Sequence, residues 1–123
     1  MENISLSQTN ETPEIHFQID GNLLIKGVSI PENVVAFYAP LIVWLDELKQ
    51  QPPESVLLQF EIEYINTAST RAFIELIKKV LSFKTKSQNV RIIWHYANGD
   101  DDNFDLGKDL EYSMRETFEF EKI

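Results

Sequence analysis

The chain has no cysteine, which excludes disulfide staples, thiolate metal sites and a cysteine nucleophile. Its four glycines are scattered, so no glycine-rich loop is present to cradle a phosphate. Only two histidines occur, His16 and His95. A serine or threonine nucleophile needs a base oriented by a third group, and no motif supplies that arrangement, so an enzyme is not expected. No apolar run approaches the ~18 residues a membrane-spanning helix requires. The opening MENISLSQTNETP has neither a basic patch nor an apolar stretch, so a signal peptide is not expected and the cytoplasm is the default location. Basic residues are also scarce, 11 against 20 acids for a formal charge of −9, which argues against a nucleic-acid partner.

What is present is enough for a core. At 123 residues and 43% hydrophobic, the chain reads as one domain over 13–123 behind a loose polar segment at 1–12. Alternation in EIHFQID sends Ile15, Phe17 and Ile19 to one face of a strand near 14–19. Asp20-Gly21-Asn22 then makes a turn into a second strand near 23–28. Ser29 and Glu32 have capping-box spacing before an apolar helical pattern. Pro40 predicts a break, with a short first turn and a main helix from about 40 to 50.

SVLLQFEIEYI predicts a strand over 55–64 with Val56, Leu58, Phe60, Ile62 and Tyr64 on one face. From Thr67 to about Thr85 an amphipathic helix follows, and Phe73, Ile77 and Val80 belong to its buried stripe. A strand at 90–97 and a helix over DDNFDLGKDLEYSMRETF come next, and FEFEKI closes as a possible edge strand. His95 falls on the opposite face from Trp94 and Tyr96. Strands separated by helices of this length favour parallel crossovers. The expected fold class is α/β: a single mixed four- to five-stranded sheet packed by three helices, STAS-like in layout.

Two charged stretches invite functional readings. Between Arg71 and Arg91 six basic residues stand against Glu75 alone. Lysines near a helix C-terminus complement its dipole, and the alternative is a docking surface for an acidic partner. The run NGDDDNFDLGKDLE resembles a calcium loop. Starting at Asp101, however, Leu106 falls where glycine belongs and Tyr112 where the bidentate glutamate belongs. Acids around a first helical turn satisfy the helix dipole without a metal. No cofactor is expected.

The most informative stretch is EYINTASTRAF, where Thr67, Ser69 and Thr70 crowd a strand-to-helix corner. One reading is a cap alone, since Asn66 and its neighbours can accept from the free N–H groups of the helix start. The other is a phosphate acceptor, because that helix end favours an anion and Arg71 stands one turn from Thr67.

PEN at 31–33, FYAPL at 37–41, EYINTAS at 63–69, WHYANGDDD at 94–102 and DLGKDLE at 105–111 occur in an order that resembles the SiaC family of bacterial regulatory phosphoproteins. The resemblance runs from about residue 10 to the last residue. It implies a non-catalytic switch protein whose matching acceptor is Thr67, with Ser69 and Thr70 as alternatives. It further implies a cognate kinase, a PP2C-type phosphatase, and an unphosphorylated form that binds and stimulates a diguanylate cyclase of the GGDEF type. That cycle would control cyclic-di-GMP signalling and biofilm formation. The implied partner surface is Asn66, Thr67, Ser69, Thr70 and Arg71, with Glu32 and Asn33 alongside. Where relatives carry a second serine this chain has Ala68, which leaves the acceptor intact. The competing reading is a STAS-like anti-anti-sigma partner switch acting on a kinase or anti-sigma factor.

Overall fold

A computed structural model describes all 123 residues. The strands are β1 (Ile4–Leu6), β2 (Glu14–Phe17), β3 (Asn22–Ser29), β4 (Ser55–Ile65), β5 (Asn89–Tyr96) and β6 (Glu119–Lys122). The helices are α1 (Val34–Leu48), α2 (Thr67–Leu81) and α3 (Asp101–Met114), and a 3₁₀ turn (Ser82–Thr85) extends α2. All six strands form one sheet in the order β1-β2-β3-β4-β5-β6. β1, β2 and β3 pair antiparallel, and β3 through β6 are parallel. Three successive crossovers in one direction place all three helices on one face of the sheet. A single 22-residue core lies between the layers.

Alternation builds that core. Ile15 and Phe17, Leu23 and Ile25, Val56 to Ile62 at every second position, and Ile92 and Trp94 all point at the helices and are buried. The opposite face is mixed: polar and charged side chains such as Gln59, Glu61 and Arg91 stand beside Leu24, Leu57 and the buried Ile93. His95 lies there, its Nε2 2.9 Å from Gln59 Oε1, while Trp94 faces the helices. Trp94 packs flat against α3 because residue 107 is glycine: a β-carbon at Gly107 would stand 2.6 Å from Trp94 Cδ1. In an exposed helix Gly→Ala stabilises by roughly 1 kcal/mol. Here the sign reverses, and Gly107→Ala is expected to lose about 1–3 kcal/mol by overpacking, read as a lower urea midpoint.

The strand count corrects the expected four or five to six. The additional edge strand, β1, lies within the segment expected to be loose. Ile4 pairs with Phe17, Asn3 Oδ1 accepts the Ile19 N–H at 2.8 Å, and Trp44 Nε1 donates to Glu2 O at 2.7 Å. β2 stops at Phe17, and Ile19 lies in the following turn, 48% exposed. Gly21 in that turn has φ +100, and an added β-carbon would sit 1.9 Å from the Ser55 carbonyl oxygen, so only glycine fits.

Helix α1 also differs from expectation. Its cap is Asn33, whose Oδ1 accepts the Ala36 N–H at 3.1 Å, and the helix runs unbroken through Pro40. Proline removes one backbone bond, to the carbonyl four residues back. Pro40 and Ala36 are both exposed, so water can satisfy that carbonyl. Ser29, expected as the cap, instead ends β3 and is buried. In β4 a bulge opposite Gly27/Val28 shifts the register. Beyond it Tyr64 emerges 61% exposed rather than joining the buried face.

The basic stretch is largely neutralised by neighbours. Lys79 pairs with Asp46 at 2.9 Å, Lys84 with Glu116 at 2.6 Å and Arg91 with Glu119 at 2.7 Å. The Arg91 guanidinium holds the Glu119 carboxyl below the usual carboxylate range. Arg71 makes no ion pair.

Candidate functional site

Where β4 leaves the sheet, Asn66 adopts extended backbone and caps α2: its Oδ1 accepts the Ser69 N–H at 2.8 Å. Its carbonyl receives the Thr70 N–H at 3.1 Å and the Thr70 hydroxyl at 3.2 Å. Asn66→Ala should cost about 1 kcal/mol, the usual worth of an N-cap, seen as a small drop in melting temperature.

The three hydroxyls of the corner then separate by environment. Thr67 is the first residue of α2, is exposed, and its hydroxyl makes no hydrogen bond. Thr70 is half-buried and turned back on Asn66. Ser69 is fully buried, on the same stripe as Phe73, and its Oγ accepts from Ser29 Oγ at 2.8 Å. Ser29 Oγ in turn lies 2.6 Å from Tyr38 OH. Burial pushes the Tyr38 phenol well above its ordinary pKa, so it stays a neutral hydrogen-bonding group.

Beside this corner α1 and α2 leave an apolar groove of about 500 Å³. Val34, Val35, Tyr38, Ile42 and Val43 form one wall, and Ala68, Arg71, Ala72 and Glu75 line the other. Val35 is 73% exposed and Val43 56%, an unusual display of β-branched apolar surface on one helix. Both helix starts reach the groove, since Val34 follows the Asn33 cap and Ala68 follows Thr67. Glu32 is exposed just before the α1 cap, and the Arg71 guanidinium is a cation free to meet an anion at the corner.

The structure thus gathers Asn66, Thr67, Thr70 and Arg71 around one helix start and places Ser69 behind them. Sequence reasoning missed the groove, Tyr38 and the buried role of Ser29. One signal was available for the groove: Val34, Val35, Ile42 and Val43 make α1 apolar around more of its circumference than a single core-facing stripe requires.

The chain is thus a mixed α/β domain with three helices on one face of a single sheet, carrying an exposed hydroxyl at a helix start beside an apolar groove. The family model described as SiaC family regulatory phosphoprotein matches residues 6–123, and the chain belongs to that family. An uncharacterised protein of Pseudomonas aeruginosa is 25% identical over 97 residues, 78% of this chain and 77% of that protein. The solved structure of SiaC of Pseudomonas aeruginosa superimposes with a TM-score of 0.83 at 22% identity, covering 98% of this chain and 97% of that one. A chain in the crystal structure of the diguanylate cyclase SiaD in complex with its activator SiaC, from the same organism, gives a TM-score of 0.85 at 22% identity, with 97% of each chain covered.

Proposed function

We propose that this protein is a non-catalytic, cytoplasmic switch whose unphosphorylated form binds and stimulates a diguanylate cyclase. A cognate kinase modifies Thr67 and a PP2C-type phosphatase restores it, so the cycle controls cyclic-di-GMP signalling and biofilm formation. The observation that carries the reading is the position of Thr67: exposed, unbonded and first in α2, beside the α1–α2 groove. The solved complex of a structural relative with a cyclase supports the choice of partner.

The physics of the switch is asymmetric. Phosphorylation adds about −1.5 to −2 charges and three acceptor oxygens. Within this chain they meet the positive end of α2 and the unpaired Arg71, which return about 0.3–1 kcal/mol each at an exposed site. At a partner interface the same charge must lose its water without a matching cation, at a cost of several kcal/mol. The fold therefore tolerates the phosphate and the complex does not.

Adding the unmodified protein to the purified cyclase should raise cyclic-di-GMP production. Treatment with the kinase should abolish that rise, and the phosphatase should restore it. Thr67→Ala should stimulate the cyclase and resist the kinase. Kinase treatment that leaves stimulation unchanged would contradict the reading.

A further inference from the structure

Ser29, the last residue of β3, contacts both the switch corner and Tyr38, which lines the groove. Its carbonyl accepts the Asn66 N–H at 3.2 Å, and its hydroxyl donates to Ser69 Oγ at 2.8 Å. With that single proton committed to Ser69, the Tyr38 phenol 2.6 Å away is the donor to Ser29. All three side chains are buried, Ser29 and Ser69 at 0% and Tyr38 at 3% exposure. Water cannot replace any of these bonds, and losing one strands its partner. At the far end, the Tyr38 ring forms part of the groove wall and meets Phe73 edge-on at 6.0 Å. A directional chain of this kind tolerates one relative placement of α1 against the start of α2.

We infer that the Tyr38–Ser29–Ser69 hydroxyl chain couples the Thr67 corner to the groove, with Ser29 and Tyr38 as positioning residues of the switch. The inference rests on the reading of Thr67 as the modified residue. A phosphate on Thr67 competes with the Asn66 side chain for the N–H groups of the first turn, the Ser69 N–H among them. Ser69 carries both that N–H and the hydroxyl that holds Ser29. Rotation of the first turn toward the phosphate therefore loads the Ser69–Ser29 bond and, through it, Tyr38. The groove wall moves without touching the phosphate.

The test uses the full chain, isotope-labelled at the tyrosine Cζ, which gives four signals, from Tyr38, Tyr64, Tyr96 and Tyr112. Phosphorylation of Thr67 should shift the Tyr38 signal, and Ser29→Ala should remove that shift. Tyr64, three residues from Thr67 but outside the chain of hydroxyls, reports any through-space effect of the charge. An unmoved Tyr38, or a shift undiminished in Ser29→Ala, overturns the coupling. In a double-mutant cycle, Thr67→Glu should weaken cyclase binding at least about tenfold in the native background and by a smaller factor with Tyr38→Phe, which keeps the ring, deletes the hydroxyl and leaves only the direct dehydration of the charge. Equal fold-changes in both backgrounds overturn the coupling and leave the switch standing. Unweakened binding in the native background removes the proposed switch, while the tyrosine spectrum still decides the coupling.

Discussion

Replacing Phe73 with alanine is expected to destabilise the protein by about 3–5 kcal/mol, the range for deleting a buried phenyl group. Phe73 is fully buried, with its ring 5.0 Å from that of Phe60 on β4 and 6.0 Å from that of Tyr38 on α1. It is the side chain by which α2 grips both the sheet and its neighbouring helix. Nothing nearby is small and mobile enough to refill the space, because Phe60 is itself wedged against Trp94 at 5.2 Å. For a domain of this size the loss corresponds to a fall in melting temperature of roughly 10–20 °C. Cyclase binding should fail in proportion to unfolding, so the variant marks what a purely structural lesion looks like. A thermal scan within a few degrees of the native protein would show that α2 does not anchor the fold in this way.

The contrasting expectation concerns Thr67→Glu. It should weaken cyclase binding by at least ~1.4 kcal/mol, the tenfold step, with almost no change in melting temperature. Thr67 is exposed and its hydroxyl holds nothing, so removing it deletes no hydrogen bond. An acid in the first turn of a helix is favourable by about 0.3–1 kcal/mol. The introduced charge therefore shows in association, where a partner must dehydrate it, and not in stability. Phe73→Ala and Thr67→Glu, measured side by side, therefore separate stability from association. Equal losses of both in Thr67→Glu would make that residue part of the helix start and nothing more.

The legible parts of this molecule are those where one element declares itself. Phe73, Leu76, Ile77 and Val80 recur at helical spacing, and the buried stripe of α2 follows from them directly. Val56, Leu58, Phe60 and Ile62 alternate, and β4 buries all four. Asn66 stands before the helical pattern and does cap it. The illegible parts depend on neighbours. β1 contributes only Ile4 and Leu6 in a polar stretch, and it exists because β2 offers a free edge and Trp44 a donor for Glu2 O. Tyr64 continued the alternation of β4, but the bulge turned it outward. Pro40 suggested a break, yet its lost bond falls on the solvent side of α1. Ser29 had a capping residue's identity and spacing, and its actual place at the centre of a hydroxyl chain depends on Tyr38 and on Ser69, 40 residues away. A groove between two helices belongs to neither helix alone: the surplus apolar residues of α1 mark one wall, but nothing within α1 shows that α2 supplies the other.

The central claim is that a phosphate on Thr67 changes association and not the fold. It is tested most directly by titrating the cyclase with protein phosphorylated at a mapped single site, next to the unmodified protein, and melting the same two samples. The account predicts the modification on Thr67, binding weaker by at least about tenfold, and melting temperatures that agree within roughly 2 °C. Modification found only at Ser69 or Thr70, or a Thr67 phosphoprotein that binds the cyclase as tightly as the unmodified one, would contradict it.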